Sequence, residues 1–144
     1  MRQRNFSDAK TYLRQLRWIS RDISCKEELL HKWRTRTMNV TVQLDPNKVQ
    51  GGRKSSAEDL LVAMADLEIE LQEQIRESLE QEKKALTMIG DLKDERYREI
   101  LMQKYFLDKT WREIADAIGY DERHVTRLHG YALQEFQKEM EKNE

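Results

Sequence analysis

The residues best suited to chemistry are Glu122, Arg123, His124, Thr126 and Arg127, preceded by Thr110, Trp111 and Arg112. Arg123 and Arg127 are four apart, so a helix turns both guanidinium groups to one side. Each can form the two-point hydrogen bond to guanine O6 and N7. Glu122 can accept from cytosine N4, and Thr126 can meet a thymine methyl or a phosphate. His124 suits a phosphate or base contact, and Arg112, with the amides of Trp111 and Arg112, suits a phosphate. Catalytic and metal-binding patterns are weak by comparison. His31, His124 and His129 never share a metal-binding spacing, because the last two, five apart, stand about 140° around a helix. Cys25 is the single cysteine, which excludes an intrachain disulfide and a cysteine-based zinc site. Acidic pairs such as Glu27-Glu28 and Asp94-Glu95 lack a third group to orient them for acid–base work. Gly51-Gly52-Arg53-Lys54-Ser55-Ser56 lacks the spacing of a phosphate loop and reads as linker plus helix cap. The expectation is a binding protein with no enzymatic activity, cofactor or metal.

Positioning those residues requires a particular set of helices. Asp91 to Phe106 predicts a helix with Tyr97, Ile100, Leu101 and Tyr105 on one face, broken at Leu107-Asp108-Lys109. Thr110-Trp111-Arg112-Glu113 then reads as a capping box, in which the Thr hydroxyl accepts from the Glu amide and the Glu carboxylate from the Thr amide. The following apolar positions, Trp111, Ile114, Ala115 and Ile118, keep helical spacing, and Gly119 supplies a left-handed terminating residue. Asp121 can cap the next helix, whose buried positions would be Val125, Leu128, Ala132, Leu133, Phe136 and Met140. Two helices joined by a turn of about three residues, with small Ala115 at their approach, are the layout of a helix-turn-helix, whose second helix offers its N-terminal residues to the major groove. His129 reads as a partly packed surface residue. A helical pair carrying ordinary surface charge is the alternative.

The rest of the chain reads as two long helices. From about Ser7, with Asp8 in a capped first turn, to Arg34, the residues Tyr12, Leu16, Ile19, Ile23, Leu30 and Trp33 form one stripe. Trp18 and Trp33 read as packing anchors. From Ser56, Leu60, Met64, Leu67, Leu71, Ile75, Leu79, Leu86 and Ile89 form another over roughly 34 residues. Between them, about 35–55, lies a loop with the single Pro46, and Val40, Val42 and Leu44 alternate there like a short strand that has nothing to pair with; the segment is expected to be extended.

Net charge is −1 over 144 residues, but it is unevenly spread. Residues 1–36 carry ten Lys or Arg and four Asp or Glu, whereas residues 55–91 carry three and ten. Opposite charges favour two antiparallel helices lying together, and two single-stripe helices leave so little core that a second copy completing a four-helix bundle is expected, a monomer being the alternative. On the first helix, Arg14, Arg17, Arg21 and Lys32 either face the acidic helix as solvated charges, the favoured reading, or reach phosphates. The fold expectation is therefore all-α: a long antiparallel helical hairpin over 1–90, serving oligomerisation, then a helix-turn-helix over 91–144. The longest apolar run, Leu60 to Ala65, is too short to span a bilayer, so no membrane partner and a cytoplasmic location are expected.

The stretches Asp94-Glu-Arg-Tyr-Arg-Glu-Ile-Leu-Met-Gln-Lys-Tyr105, Thr110-Trp-Arg-Glu-Ile-Ala-Asp-Ala-Ile-Gly119 and Asp121-Glu-Arg-His-Val-Thr-Arg-Leu-His-Gly-Tyr-Ala-Leu133 resemble region 4 of the sigma-70 family, the module that reads the −35 promoter element. The resemblance implies that Glu122, Arg123, Thr126 and Arg127 read bases or phosphates and that Thr110 contacts the backbone. The whole chain, with its Val49-Gln50 and Leu128-His129-Gly130, is similar to late-gene transcriptional activators of the ArpU and RinA type from phages and prophages of Gram-positive bacteria. Here Glu122 and Arg123 reverse the charge order of housekeeping sigma factors and Arg127 replaces a Gln, so the same −35 hexamer is not implied. A stretch resembling the part of sigma that melts the −10 element is missing, and a complete sigma factor is not expected. The implied function is a regulator that binds double-stranded DNA upstream of a promoter and touches host RNA polymerase. The rival is a protein-interaction module of the same fold that docks on polymerase or another phage protein without reading DNA. A purely structural coiled coil is a third.

Overall fold

The structure, a computed structural model, describes residues 9–43 and 51–143, with side chains over 9–39 and 56–143. Five helices and no strand occur among the described residues: α1 (Ala9–Gln43), α2 (Gly51–Gly90), α3 (Glu95–Tyr105), α4 (Trp111–Ile118) and α5 (Glu122–Lys142). The all-helical class is as expected. None of these helices is long and apolar enough to cross a membrane.

The expected extended segment is corrected at both ends. α1 continues through 35–43 and α2 starts at Gly51 rather than Ser56. Alternation of Val40 and Val42 is a weak strand signal when no neighbouring strand can satisfy the ladder, whereas continuing α1 keeps each backbone group bonded within the chain. Ser7 and Asp8, the expected cap, and Leu44, Pro46, Val49 and Gln50 lie outside the described residues. The helix expected from Asp91 begins only at Glu95, because the Asp94 carboxylate accepts from the Arg96 amide and ends the preceding break as an N-cap.

The chain divides into two compact units, one of Ser20–Glu77 and the other of the residues before and after it. In Ser20–Glu77 the buried apolar side chains are Leu30 and Leu71. Polar pairs also join the helices there: Lys26 Nζ lies 3.0 Å from Gln74 Oε1 and 3.7 Å from Glu70, Gln74 Nε2 donates to Asp22 at 3.1 Å, and Arg34 meets Glu68 at 2.5 Å. Partner numbers on α2 fall from 74 to 68 as those on α1 rise from 22 to 34, the order of antiparallel helices.

The other unit holds the larger core. Ala9, Leu13 and Leu16 pack with Ala85, Ile89, Leu92, Leu101, Tyr105, Ala132 and Phe136. A second cluster, Ile100, Ile114, Ala115, Val125 and Leu128, lies among α3, α4 and α5. Two expectations about stripes fail here. Leu79 and Leu86 are 56% and 39% exposed, while Ser78 and Ala85 are buried. The inward positions of α2 include 64, 67, 71, 74, 78, 82, 85 and 89, spaced by three or four residues, which puts Leu79 and Leu86 one residue, about 100°, off the seam. Trp18, expected as an anchor, is 65% exposed, and Ala9 and Leu13 hold the inward places instead.

Candidate nucleic-acid interface

Thr110 Oγ1 accepts from the Glu113 amide at 3.1 Å, and Glu113 Oε1 accepts from the Thr110 amide at 2.8 Å. This reciprocal pair is the expected capping box and starts α4 at Trp111. The Thr110 amide holds the Glu113 carboxyl below the usual carboxylate range. At the other end of α4, Gly119 has φ 79°, which an L side chain adopts only at a cost, so glycine is the residue the turn requires. Asp121 then accepts from the His124 amide at 2.8 Å and caps α5, as its position implied.

With α5 started there, its helical turn sorts the chemistry. Val125 and Leu128 are buried against Ile100, Ile114 and Ala115. Glu122, Arg123, Thr126 and Arg127 are exposed, as are Thr110 and Arg112. Thr126 Oγ1 donates to the Arg123 carbonyl at 2.9 Å, which leaves the oxygen free to accept a hydrogen bond. His124 is half-buried, its ring edge-on to Tyr120 at 4.7 Å. Arg96 of α3 pairs with Asp94 at 2.8 Å and also bonds Tyr120, which ties α3 to the turn between α4 and α5 and holds the guanidinium firmly charged. Trp111 is half-buried, so its side chain serves packing.

His129 corrects the expectation of a surface position. It is 7% exposed, shares a 2.8 Å hydrogen bond with Tyr105 Oη, and lies 4.7 Å from the Trp111 ring. Burial, then the charges of Lys10, Lys104 and Arg17, push its pKa down to about 4. The partner is 24 residues away in sequence, so no local pattern marks this contact. Around it, the Arg17 guanidinium carbon stands 5.4 Å from the Tyr105 ring centroid and Lys104 Nζ 4.3 Å from that of Trp111. No pattern in the sequence marks Lys104 or Lys10.

Among the described residues no three His, Cys, Asp or Glu side chains gather as a metal site, and Cys25 is exposed. The arrangement is thus a polar, bipolar strip on a rigid helical base: two guanidinium groups, one carboxylate and one hydroxyl along two turns. Such a strip donates and accepts hydrogen bonds.

Residues 40–137 match the model of a family described as "Protein of unknown function (DUF1492)", a span that takes in α2 to α4, most of α5 and more than half of the chain. The chain belongs to that family. No curated protein and no solved structure matches it.

Proposed function

We propose that this member of the family is a sequence-specific double-stranded DNA-binding regulator of transcription, whose residues 91–144 act as a helix-turn-helix similar to sigma-70 region 4. The observation that supports the reading most is the division of α5: Val125 and Leu128 anchor it to α3 and α4, while Glu122, Arg123, Thr126 and Arg127 are exposed over its first two turns. In this reading α5 enters the major groove, Arg123 and Arg127 read guanines, and Glu122 and Thr126 discriminate neighbouring base pairs. His124, Thr110, Arg112 and the first amides of α4 hold phosphates. The resemblance to late-gene activators of phages suggests binding upstream of a promoter.

Residues 1–90 serve in this proposal as the oligomerisation module. Leu29, Met38, Leu61, Val62 and Ile69 are exposed in Ser20–Glu77, where few apolar side chains are buried, so a second copy has apolar surface to cover. A two-fold dimer matches paired half-sites on DNA. The rival, a module docked on host RNA polymerase without reading DNA, draws on Met102 and Leu107, 41% and 59% exposed beside the α3–α4 turn.

Selection of duplexes from a random library, followed by titration, separates the two. An enriched sequence is expected, and Arg127→Ala should weaken binding to it by ~1 to 3 kcal/mol. No enrichment at low salt would leave the protein-docking reading.

A further inference from the structure

The basic residues of α1 have two different environments. Within Ser20–Glu77, Lys26 is bonded to Gln74 and paired with Asp22 and Glu70, and Arg34 is paired with Glu68. These are charges matched by an acidic partner helix. Lys10, Arg14 and Arg17 are different: among the described residues they form no ion pair, and Lys10 and Arg14 are exposed. Their spacing of four and three residues puts them on one narrow stripe, about 10 Å long at 1.5 Å per residue. That stripe flanks the buried face made by Ala9, Leu13 and Leu16.

The place where the stripe leads is set by aromatic contacts. Arg17 lies over Tyr105, Tyr105 bonds His129, His129 meets Trp111, and Lys104 lies over Trp111. Lys104 Nζ also approaches the Lys109 carbonyl at 3.5 Å, which brings it to the chain just before the α4 cap. Arg17 and Lys104 therefore flank the Tyr105–His129–Trp111 ring cluster, whose Trp111 opens α4, and the charge of Lys10 is felt at His129 within it; the first helix of a helix-turn-helix crosses a phosphate backbone. Arg17 and Lys104 rest on rings that are themselves packed, so part of the side-chain entropy a phosphate contact would cost is already lost on folding.

We propose that Lys10, Arg14 and Arg17 of α1, together with Lys104 of α3, form a sequence-independent phosphate clamp that grips the DNA backbone beside the α4 N-terminus. The proposal rests on the DNA-reading assignment of α5 and adds to it: the N-terminal helix is part of the DNA-binding surface, and α5 alone does not account for affinity. Residues 92–144 carry ten Lys or Arg and twelve Asp or Glu, a net charge of −2, so positive charge from outside this segment would add to attraction for phosphates.

The test uses the full chain, an enriched duplex and a random-sequence duplex, with Kd measured over a salt series. Each phosphate contact contributes about 0.9 to the slope of log K against log salt. The triple variant Lys10→Gln, Arg14→Gln, Arg17→Gln is expected to lower that slope by about 2 to 3, with equal fold-losses on both duplexes. The charge-keeping variant Lys10→Arg, Arg14→Lys, Arg17→Lys should retain the wild-type slope, which separates lost charge from lost folding. Arg127→Ala should instead weaken the enriched duplex alone. An unchanged slope in the glutamine variant overturns the clamp and leaves the α5 assignment standing. A loss confined to the enriched duplex also overturns it, because that is base reading. No binding of wild type to either duplex overturns both.

Discussion

Ser20–Glu77 and the unit formed by the rest of the chain are built from the same two long helices in part, yet they are held together differently. Of the seventeen buried apolar side chains among the described residues, only Leu30 and Leu71 belong to Ser20–Glu77. There the helices also meet through Lys26, Gln74, Asp22, Arg34 and Glu68, exposed or half-exposed polar pairs of a kind worth at most about 1 kcal/mol each, beside half-buried Trp33, Met64 and Leu67. The other unit excludes water around Phe136, Leu13, Ile89, Ile100, Leu101, Ile114 and Val125. The lesson is a division of labour by packing. The exposed strip of Glu122, Arg123, Thr126 and Arg127 sits on the dense core, and the thinly packed segment keeps apolar residues exposed.

Large-to-small substitutions in the two units should differ most. Phe136→Ala removes a fully buried ring and should cost ~3 to 5 kcal/mol, whereas Leu71→Ala, in a site that can collapse, should cost ~2 kcal/mol or less. Denaturant titrations of both variants would contradict the comparison if Leu71→Ala proved the more damaging.

A second effect comes from His129. Its folded-state pKa of about 4 lies below the ordinary imidazole value of about 6.5, so between those pH values the unfolded chain binds the extra proton. Stability from keeping His129 neutral is complete above pH 6.5 and is lost as pH falls through the window to about 4, by up to ~3 kcal/mol. His129→Gln can still bond Tyr105 but does not titrate, so its stability should fall less steeply than that of the wild type from pH 6.5 to 4. Parallel acid limbs for the two proteins would remove His129 from this role.

The smallest effect concerns the turn. A Cβ at Gly119 meets nothing within 4 Å, so Gly119→Ala isolates the backbone cost of φ 79° and should destabilise by ~1 to 2 kcal/mol. Thermal melting that shows no change would mean that the turn relaxes without loss.

Legibility in the sequence follows the range of the interaction. Thr110 with Glu113, Gly119 and Asp121 were readable because each bond closes within three or four residues and demands particular side chains. Val125, Leu128, Ala132 and Phe136 were readable because helical spacing alone puts them on one face. The seam of α2 was not, since leucines attract attention while the inward places at 78 and 85 belong to Ser and Ala. Asp94 followed by Glu95 did carry a start signal, an N-cap with an acidic first turn, that the longer apolar pattern obscured. His129 offered none: its burial depends on Tyr105 and Trp111 arriving from other helices. The same holds for the two kinds of basic residue on α1, whose neighbours decide whether each charge is matched.

The central claim is that the exposed strip from Glu122 to Arg127 reads duplex DNA. The most direct measurement is the affinity of the full chain for an enriched duplex between 50 and 200 mM salt. Engagement of about four to six phosphates predicts a fall of roughly a hundredfold to a thousandfold across that range, together with a preference over random sequence that Arg127→Ala diminishes. Binding that is absent at 50 mM salt, or that is the same for every duplex and indifferent to Arg127, would contradict it.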